Sequence, residues 1–417
     1  MKNIPYKERL INLQNKPDWY KDLVPTFQVP AILFHEEYVE DKGEDNKDDE
    51  EKTKSKPQRT LIWESSDIMT ALDERFPNTP RMALNDDPKY TAAVSMNDDL
   101  VKAGIMYAFA ARNASLTEDD IQCLKSEFEF ELDRLDYVLG EVNKGKSVDD
   151  GESYFRLGDT FTGVDAMMIP SLERWKYQLP VTNDVDIMKG RNNIKLWFDT
   201  MDNYKPYADR VSGDEYSWTA VASTFLRLFT SNKDGELDPK TEVKMERADQ
   251  ATEDLVASFV DGADNLIATS ISSASLDIFA HEAAAKLILN HEAVVADCTR
   301  SNPKSQKDLL RSTDESSADL ALHFATSVLL SDGENVMDVA RNHPFPSSSS
   351  SWDATEAALA ARMVAARICV PRDMGRPAAV LLRGVLVEAA RRFAAMAKEI
   401  PKVEVVAEEE AEVDTGY

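Results

Sequence analysis

Cysteine is scarce, with three thiols (Cys123, Cys298 and Cys369) in 417 residues. They are scattered, odd in number and never at metal or redox spacing. That excludes a disulfide framework and leaves reduced thiols in a reducing compartment as the expectation. Positive charge is also short: 48 Lys and Arg against 75 Asp and Glu give a net charge of −27. Nucleic acid and anionic membranes are gripped by clustered Lys and Arg. With no basic stripe in the chain, nucleic acid and membrane are both excluded as partners. Long apolar runs are missing too, for nothing approaches the roughly 20 residues of a membrane-spanning helix. The start, Met1-Lys2-Asn3-Ile4-Pro5-Tyr6, has neither the apolar stretch of a secretory signal nor the Arg- and Ser-rich pattern of a transit peptide. A cytoplasmic location is expected. Histidine numbers five, and His281 and His291, each followed by Glu, stand ten residues apart. The H-E-x-x-H pattern is therefore absent and no metal is implied.

What is present is a globular composition, 43% hydrophobic and 29% charged, in a chain long enough for two or three domains. The opening reads as a small mixed unit over 1–82. Tyr6 to Asn12 is an expected strand, and Asn15-Lys16-Pro17-Asp18-Trp19-Tyr20 a turn into a short helix. Val29-Pro30-Ala31-Ile32-Leu33-Phe34 is an apolar strand run. An acidic segment, 36–57, has too few apolar residues to fold alone and is expected to be a disordered loop of a hairpin. The hairpin closes with Thr60-Leu61-Ile62-Trp63. A helix follows from Glu64-Ser65-Ser66-Asp67, with Ile68, Leu72 and Phe76 on one face, and ends at Pro77.

From about Pro88 the pattern is helical. Thr117 with Asp120 forms a capping box ahead of Leu124, Phe128, Leu132, Leu135 and Leu139 at helical spacing. A second box, Thr162 to Asp165, opens a helix through Met168, Leu172 and Trp175, and Asn193 to Met201 is a further amphipathic helix. The helical region spans 88–235. An alanine-rich extension, 239–400, carries expected helices at Thr241–Leu266, Ala274–Val295, Ser316–Leu330, Asp353–Cys369 and Pro377–Glu399. It shows no nucleotide loop, metal spacing or catalytic triad. The three cysteines are expected to be buried, inert thiols, and Arg367, Arg372, Asp373 and Arg376 to be helix-end charges. The tail, 401–417, is acidic and expected to be disordered.

Four stretches carry a likeness in order: Asn15 to Trp19; Val29-Pro30; Trp63 to Met69 with Leu72 to Pro77; and Phe161 to Asp165 with Leu172-Glu173-Arg174-Trp175. Their order and spacing resemble the cytosolic glutathione transferases, most of all the omega and lambda group, over about the first 230 residues. The resemblance implies an α/β thioredoxin-like N-terminal domain, incomplete, followed by an all-α transferase C-terminal domain and an additional all-α extension. It also implies a glutathione site. Pro30 would be cis, leaving the Val29 N–H and C=O to pair with the tripeptide as one more strand would. Ser65, with Glu64 beside it, would take the γ-glutamyl carboxylate at a helix N-terminus. Lys16 would reach the glycyl carboxylate.

The same resemblance implies glutathione as co-substrate and a small electrophile or disulfide as its partner, with thiol transfer, reduction or conjugation as the chemistry. A homodimer is compatible with it, and the extension is expected to meet a protein partner the sequence does not name. One departure stands out. The family's activating residue lies in a first strand and helix ahead of the Ile-Pro-Tyr turn, which here is Ile4-Pro5-Tyr6, so no catalytic residue is assigned. Two explanations remain open: a segment that belongs ahead of Met1, or a non-catalytic relative that uses the transferase fold as a structural or interaction module.

Overall fold

The computed structural model of the chain describes residues 2–9, 11, 16–35, 59–110, 116–148, 150–230, 239–271, 276–299, 314–331, 335–345 and 352–399. The acidic segment 36–57 and the tail 401–417 lie outside them. In chain order the elements begin with α1 (Asp18–Leu23), β1 (Ala31–His35), β2 (Arg59–Trp63) and α2 (Ser65–Arg75). Then come α3 (Pro88–Ala108), α4 (Glu118–Val142), α5 (Gly163–Asn183), α6 (Asn192–Asn203), α7 (Lys205–Ala208) and α8 (Glu215–Thr230). The remainder is α9 (Pro239–Ser270), α10 (Leu276–Thr299), α11 (Glu315–Leu329), α12 (Val336–Asn342), α13 (Ala354–Arg367) and α14 (Arg376–Glu399). No described helix is long and apolar enough to cross a membrane.

The chain divides into two compact units. The first comprises Met1–Tyr107, Thr117–Leu172 and Ile187–Thr200; the second comprises Ala108–Leu116, Glu173–Asp186 and Met201–Tyr417.

In the first unit β1 and β2 form an antiparallel ribbon, with Ala31 opposite Trp63 and His35 opposite Arg59. Helix α2 packs on both strands, and the Arg75 guanidinium lies over the Phe34 ring at 4.3 Å. The strand expected over Tyr6 to Asn12 does not form: residues 6–9 and 11 are irregular, and 10 and 12 lie outside the described residues. Lys7-Glu8-Arg9 puts three successive charges into that run, so neither face is apolar enough to be held against the ribbon. Tyr6 is accordingly exposed.

Helix α4 starts as its sequence dictates. The Thr117 hydroxyl accepts the Asp120 N–H at 3.2 Å and Asp120 returns a bond to the Thr117 N–H at 2.8 Å. Phe128, Leu132, Leu135 and Leu139 bury one stripe, while Leu124 is only half-buried. The second box has a deeper setting. Asp165 is fully buried and accepts from the Thr162 N–H (2.9 Å) and hydroxyl (3.1 Å), the Arg156 N–H (2.8 Å) and Trp197 Nε1 (3.0 Å). Burial pushes its carboxyl above the ordinary range against the pull of those four donors. Between the two box residues, Gly163 donates its N–H to Met82 O at 2.8 Å. A Cβ there would lie 2.6 Å from the Tyr90 hydroxyl and 2.9 Å from Met82 O, so only glycine fits the contact.

Among its described residues the second unit is built of helices joined by turns and irregular stretches, with no strand. Helix α14 runs through its centre and packs on α9, α10, α11, α12 and α13. Leu381, Leu382, Val385, Leu386, Ala389 and Phe393 have no exposure, as befits a helix apolar around most of its circumference. Buried among them, Arg383 pairs with Asp214, donates to Ile368 O at 2.7 Å and Ser217 Oγ at 3.1 Å, and stacks over Tyr216 at 4.4 Å. A guanidinium can be buried there because nearly all its donors find acceptors in the plane of its fork. Glu173 is also buried, accepting from Tyr207, from the Gly213 N–H (2.9 Å) and from Trp218 Nε1 (2.9 Å).

The five helices expected in the extension form within a few residues of their expected ends. Helix α13 stops at Arg367 rather than Cys369, because the residues leading into Pro371 turn extended (Ile368 φ −59°, ψ 124°). Helix α12 was not expected; seven residues hold too little periodicity to be recognised, and its start is fixed by Asn335, whose side chain accepts the Met337 N–H at 3.0 Å. Arg367 pairs with Asp297, Arg372 with Asp373 and Arg376 with Asp202.

Candidate functional site

The ribbon's register brings together two segments that are 34 residues apart in sequence. Because Ala31 faces Trp63 in antiparallel pairing, the residues just before β1 and just after β2 emerge at the same end. Val29 and Pro30 are on one side, Glu64 and Ser65 on the other. The Val29–Pro30 bond is cis. Val29 is exposed, and no described residue engages its N–H or C=O, which leaves an unpaired stretch of backbone at a sheet edge.

Across from it, Glu64 has φ 79° and ψ 123° and opens α2 without a side-chain cap. A non-glycine residue at positive φ costs on the order of 1–3 kcal/mol and persists only where the surroundings enforce it. Here it turns the chain from β2 sharply into α2, whose first intrahelical bond is Ile68 N–H to Glu64 O at 3.0 Å. The N–H groups of Ser65, Ser66 and Asp67 precede that bond, and all three residues are exposed. Uncapped N–H groups at the positive end of a helix dipole favour a carboxylate.

Lys16 lies two residues ahead of α1, half-buried, and no described carboxylate pairs with it. Helix α1 is tied toward Val29 by the Tyr20 hydroxyl, which donates to Gln28 O. Trp19 and Phe27 are exposed beside this segment, and the Arg9 guanidinium stands 5.1 Å from the Trp19 ring. The far end of α2 is anchored by a residue not anticipated from sequence. Asp73 pairs with Lys2 Nζ at 2.6 Å and accepts the Met82 and Ala83 N–H groups at 2.8 and 2.6 Å. Burial raises its carboxyl, but the Lys2 bond and the two N–H groups outweigh that and hold it below the ordinary value.

Of the three thiols expected to be buried, only Cys123 lies in the open. Cys123 is exposed on α4, Cys298 is buried and Cys369 half-buried. Burial pushes Cys298 up to about 11 and raises Cys369 as well, the opposite of what a nucleophilic thiolate needs. A hollow of about 400 Å³, lined among others by Asp133, Asp136, Arg191 and Asn193, has these four residues bonded to one another. Asp136 accepts the Asn193 and Ile194 N–H groups at 2.8 and 3.0 Å, and Arg191 pairs with Asp133 at 2.7 Å. It ties α4 to the start of α6.

Residues 1–75 match the family described as "Glutathione S-transferase, N-terminal domain". Two Arabidopsis thaliana proteins are similar to parts of the chain. "Glutathione S-transferase L2, chloroplastic" is 25% identical over 199 residues, 48% of this chain and 54% of that protein. "Glutathione S-transferase DHAR3, chloroplastic" is 36% identical over 80 residues, 19% of this chain and 22% of that protein. The chain thus spans about half the length of the first and less than a quarter of the second. No solved structure matches it. These matches support the glutathione transferase superfamily, in keeping with a small two-stranded sheet joined to a mostly helical chain.

Proposed function

We propose that residues 1–82 bind glutathione and that the chain is an omega- or lambda-like glutathione transferase, with 88–235 as its helical transferase region and 239–400 as an added helical part. The ribbon register carries the reading: it sets the unpaired Val29 backbone beside the uncapped start of α2. The γ-glutamyl carboxylate meets the Ser65 hydroxyl and the first N–H groups of α2, with the Glu64 side chain beside it. The cysteinyl backbone pairs with the N–H and C=O of Val29, whose position Pro30 fixes. The Lys16 ammonium faces the glycyl carboxylate. The matched N-terminal family segment, residues 1–75, contains all five positions. The chemistry proposed is thiol transfer, disulfide reduction or conjugation of an electrophile.

Glutathione titrated into the full chain by calorimetry tests this. Hydrogen bonds to a charged group contribute about 1.5–3 kcal/mol, so Ser65→Ala should weaken binding roughly tenfold or more. A half-exposed ion pair contributes up to about 1 kcal/mol, so Lys16→Ala should weaken it severalfold. Affinity unchanged by both substitutions would refute the site.

A second reading, a non-catalytic interaction module, is favoured by the thiols, since the Cys298 and Cys369 sulfurs are shifted away from thiolate. Phe130 and Tyr137, both exposed on α4, add surface such a module would use. Glutathione binding without turnover of a mixed-disulfide substrate would select this reading over the first.

A further inference from the structure

Two of the chain's five histidines meet one aspartate at the packing of α10 against α11. His291 is on α10, and Asp319 and His323 are one turn apart on α11; one ligand atom from each lies within 4.8 Å of the other two. His291 Nε2 is 2.5 Å from Asp319 Oδ1, and His323 Nε2 is 3.8 Å from Asp319 Oδ2. The imidazole rings stand 5.9 Å apart, edge to face.

A simple His–Asp pair leaves two features unexplained. His291 Nε2 is buried and makes no aligned hydrogen bond despite its closeness to Asp319. His323, the most exposed of the three, has its own Nε2 nearer the second oxygen of the same carboxylate than to any hydrogen-bond partner among the described residues. Both are accounted for by a cation between the three. Bonds of about 2.0–2.1 Å in a tetrahedral shell set neighbouring ligand atoms about 3.3 Å apart. The set reaches that spacing by opening the short His291–Asp319 contact and closing the longer one, through rotation of partly exposed side chains.

We propose that His291, Asp319 and His323 form a binding site for a divalent transition-metal ion, Zn²⁺ by chemistry, with water completing the shell. Two neutral imidazoles and one carboxylate are the donors such borderline ions select over Ca²⁺ or Mg²⁺, which want oxygen alone. With His323 at the surface, the fourth position is open to solvent. Bound metal would clip α10 to α11 within the second unit.

The test titrates the metal-free full chain with Zn²⁺ against a chromogenic chelator. One equivalent should bind per chain. His323→Ala, which removes an exposed side chain and leaves the fold intact by circular dichroism, should weaken it at least tenfold, and Asp319→Asn likewise. His281→Ala, exposed on the same helix, should bind as the parent does. Co²⁺ should give tetrahedral visible absorption in the parent and lose it in His323→Ala. Binding that is absent from the parent, equal in all four proteins, or abolished only by alkylating the cysteines overturns the assignment.

Discussion

Asp165 offers the sharpest test of what holds the first unit together. Alanine at this position removes the acceptor for the Thr162 N–H, the Arg156 N–H and Trp197 Nε1. Arg156, Thr162 and Trp197 are themselves buried, so water does not replace the lost partner. Each orphaned donor costs about 1–3 kcal/mol, which places the sum at about 3–9 kcal/mol. Two effects reduce it: the Thr162 hydroxyl can rotate, and the variant no longer buries a carboxyl whose desolvation already opposes the donors. A loss of about 3–5 kcal/mol is expected, a large part of the 5–15 kcal/mol of an ordinary domain. Asp165→Asn keeps the oxygen that serves Arg156 and Trp197 and should lose about half as much. Urea unfolding followed by tryptophan fluorescence reads the transition in which Trp197 becomes exposed. A loss below about 1 kcal/mol for alanine, or asparagine costing as much as alanine, would refute the reasoning.

Three further outcomes follow from the same geometry. Asp73 is held below its ordinary value in the fold, so its contribution is complete above the unfolded carboxylate value of about 3.9 and is lost as pH falls through the lower folded value; Asp73→Asn should flatten that acid limb in a pH series of unfolding midpoints. Gly163→Ala forces a Cβ against Tyr90 and the Met82 carbonyl and should cost about 1–3 kcal/mol, measured by urea midpoint at constant slope. Arg383→Met leaves Asp214 without its buried partner and should destabilise the second unit by about 3–5 kcal/mol; Arg383→Met with Asp214→Asn should recover part of that, which thermal unfolding of the pair of variants checks.

Local chemistry made much of this legible from sequence. The Thr117 and Thr162 boxes, the stop of α2 before Pro77 and the stripe from Phe128 to Leu139 involve neighbours within one or two turns, whose interactions depend on spacing alone. The ribbon could be anticipated, since Ala31 to Phe34 and Thr60 to Trp63 are apolar runs whichever register they adopt. The strand over Tyr6 to Asn12 failed because a strand is decided by the neighbour it pairs with, and three charges leave nothing to hold it there. Positive φ at Glu64 was equally invisible, being imposed by how β2 must turn to lay α2 on the ribbon.

The residues of the candidate sites divide the same way. Lys16, Val29, Pro30, Glu64 and Ser65 were named through the resemblance to the transferase family, yet the nearness of Val29 to the start of α2 follows only from the Ala31–Trp63 register. Cys123 was expected inside and lies outside, because helical periodicity marks a stripe without saying how far its edges are covered. His291 gave no metal signal beside His281, since the partners it meets are 28 and 32 residues further on, across a helix-to-helix packing. Sequence determined most of the helices and where they begin, through contacts that short spacing fixes. Tertiary structure decided which distant polar groups share a buried place, because only packing removes water from between them.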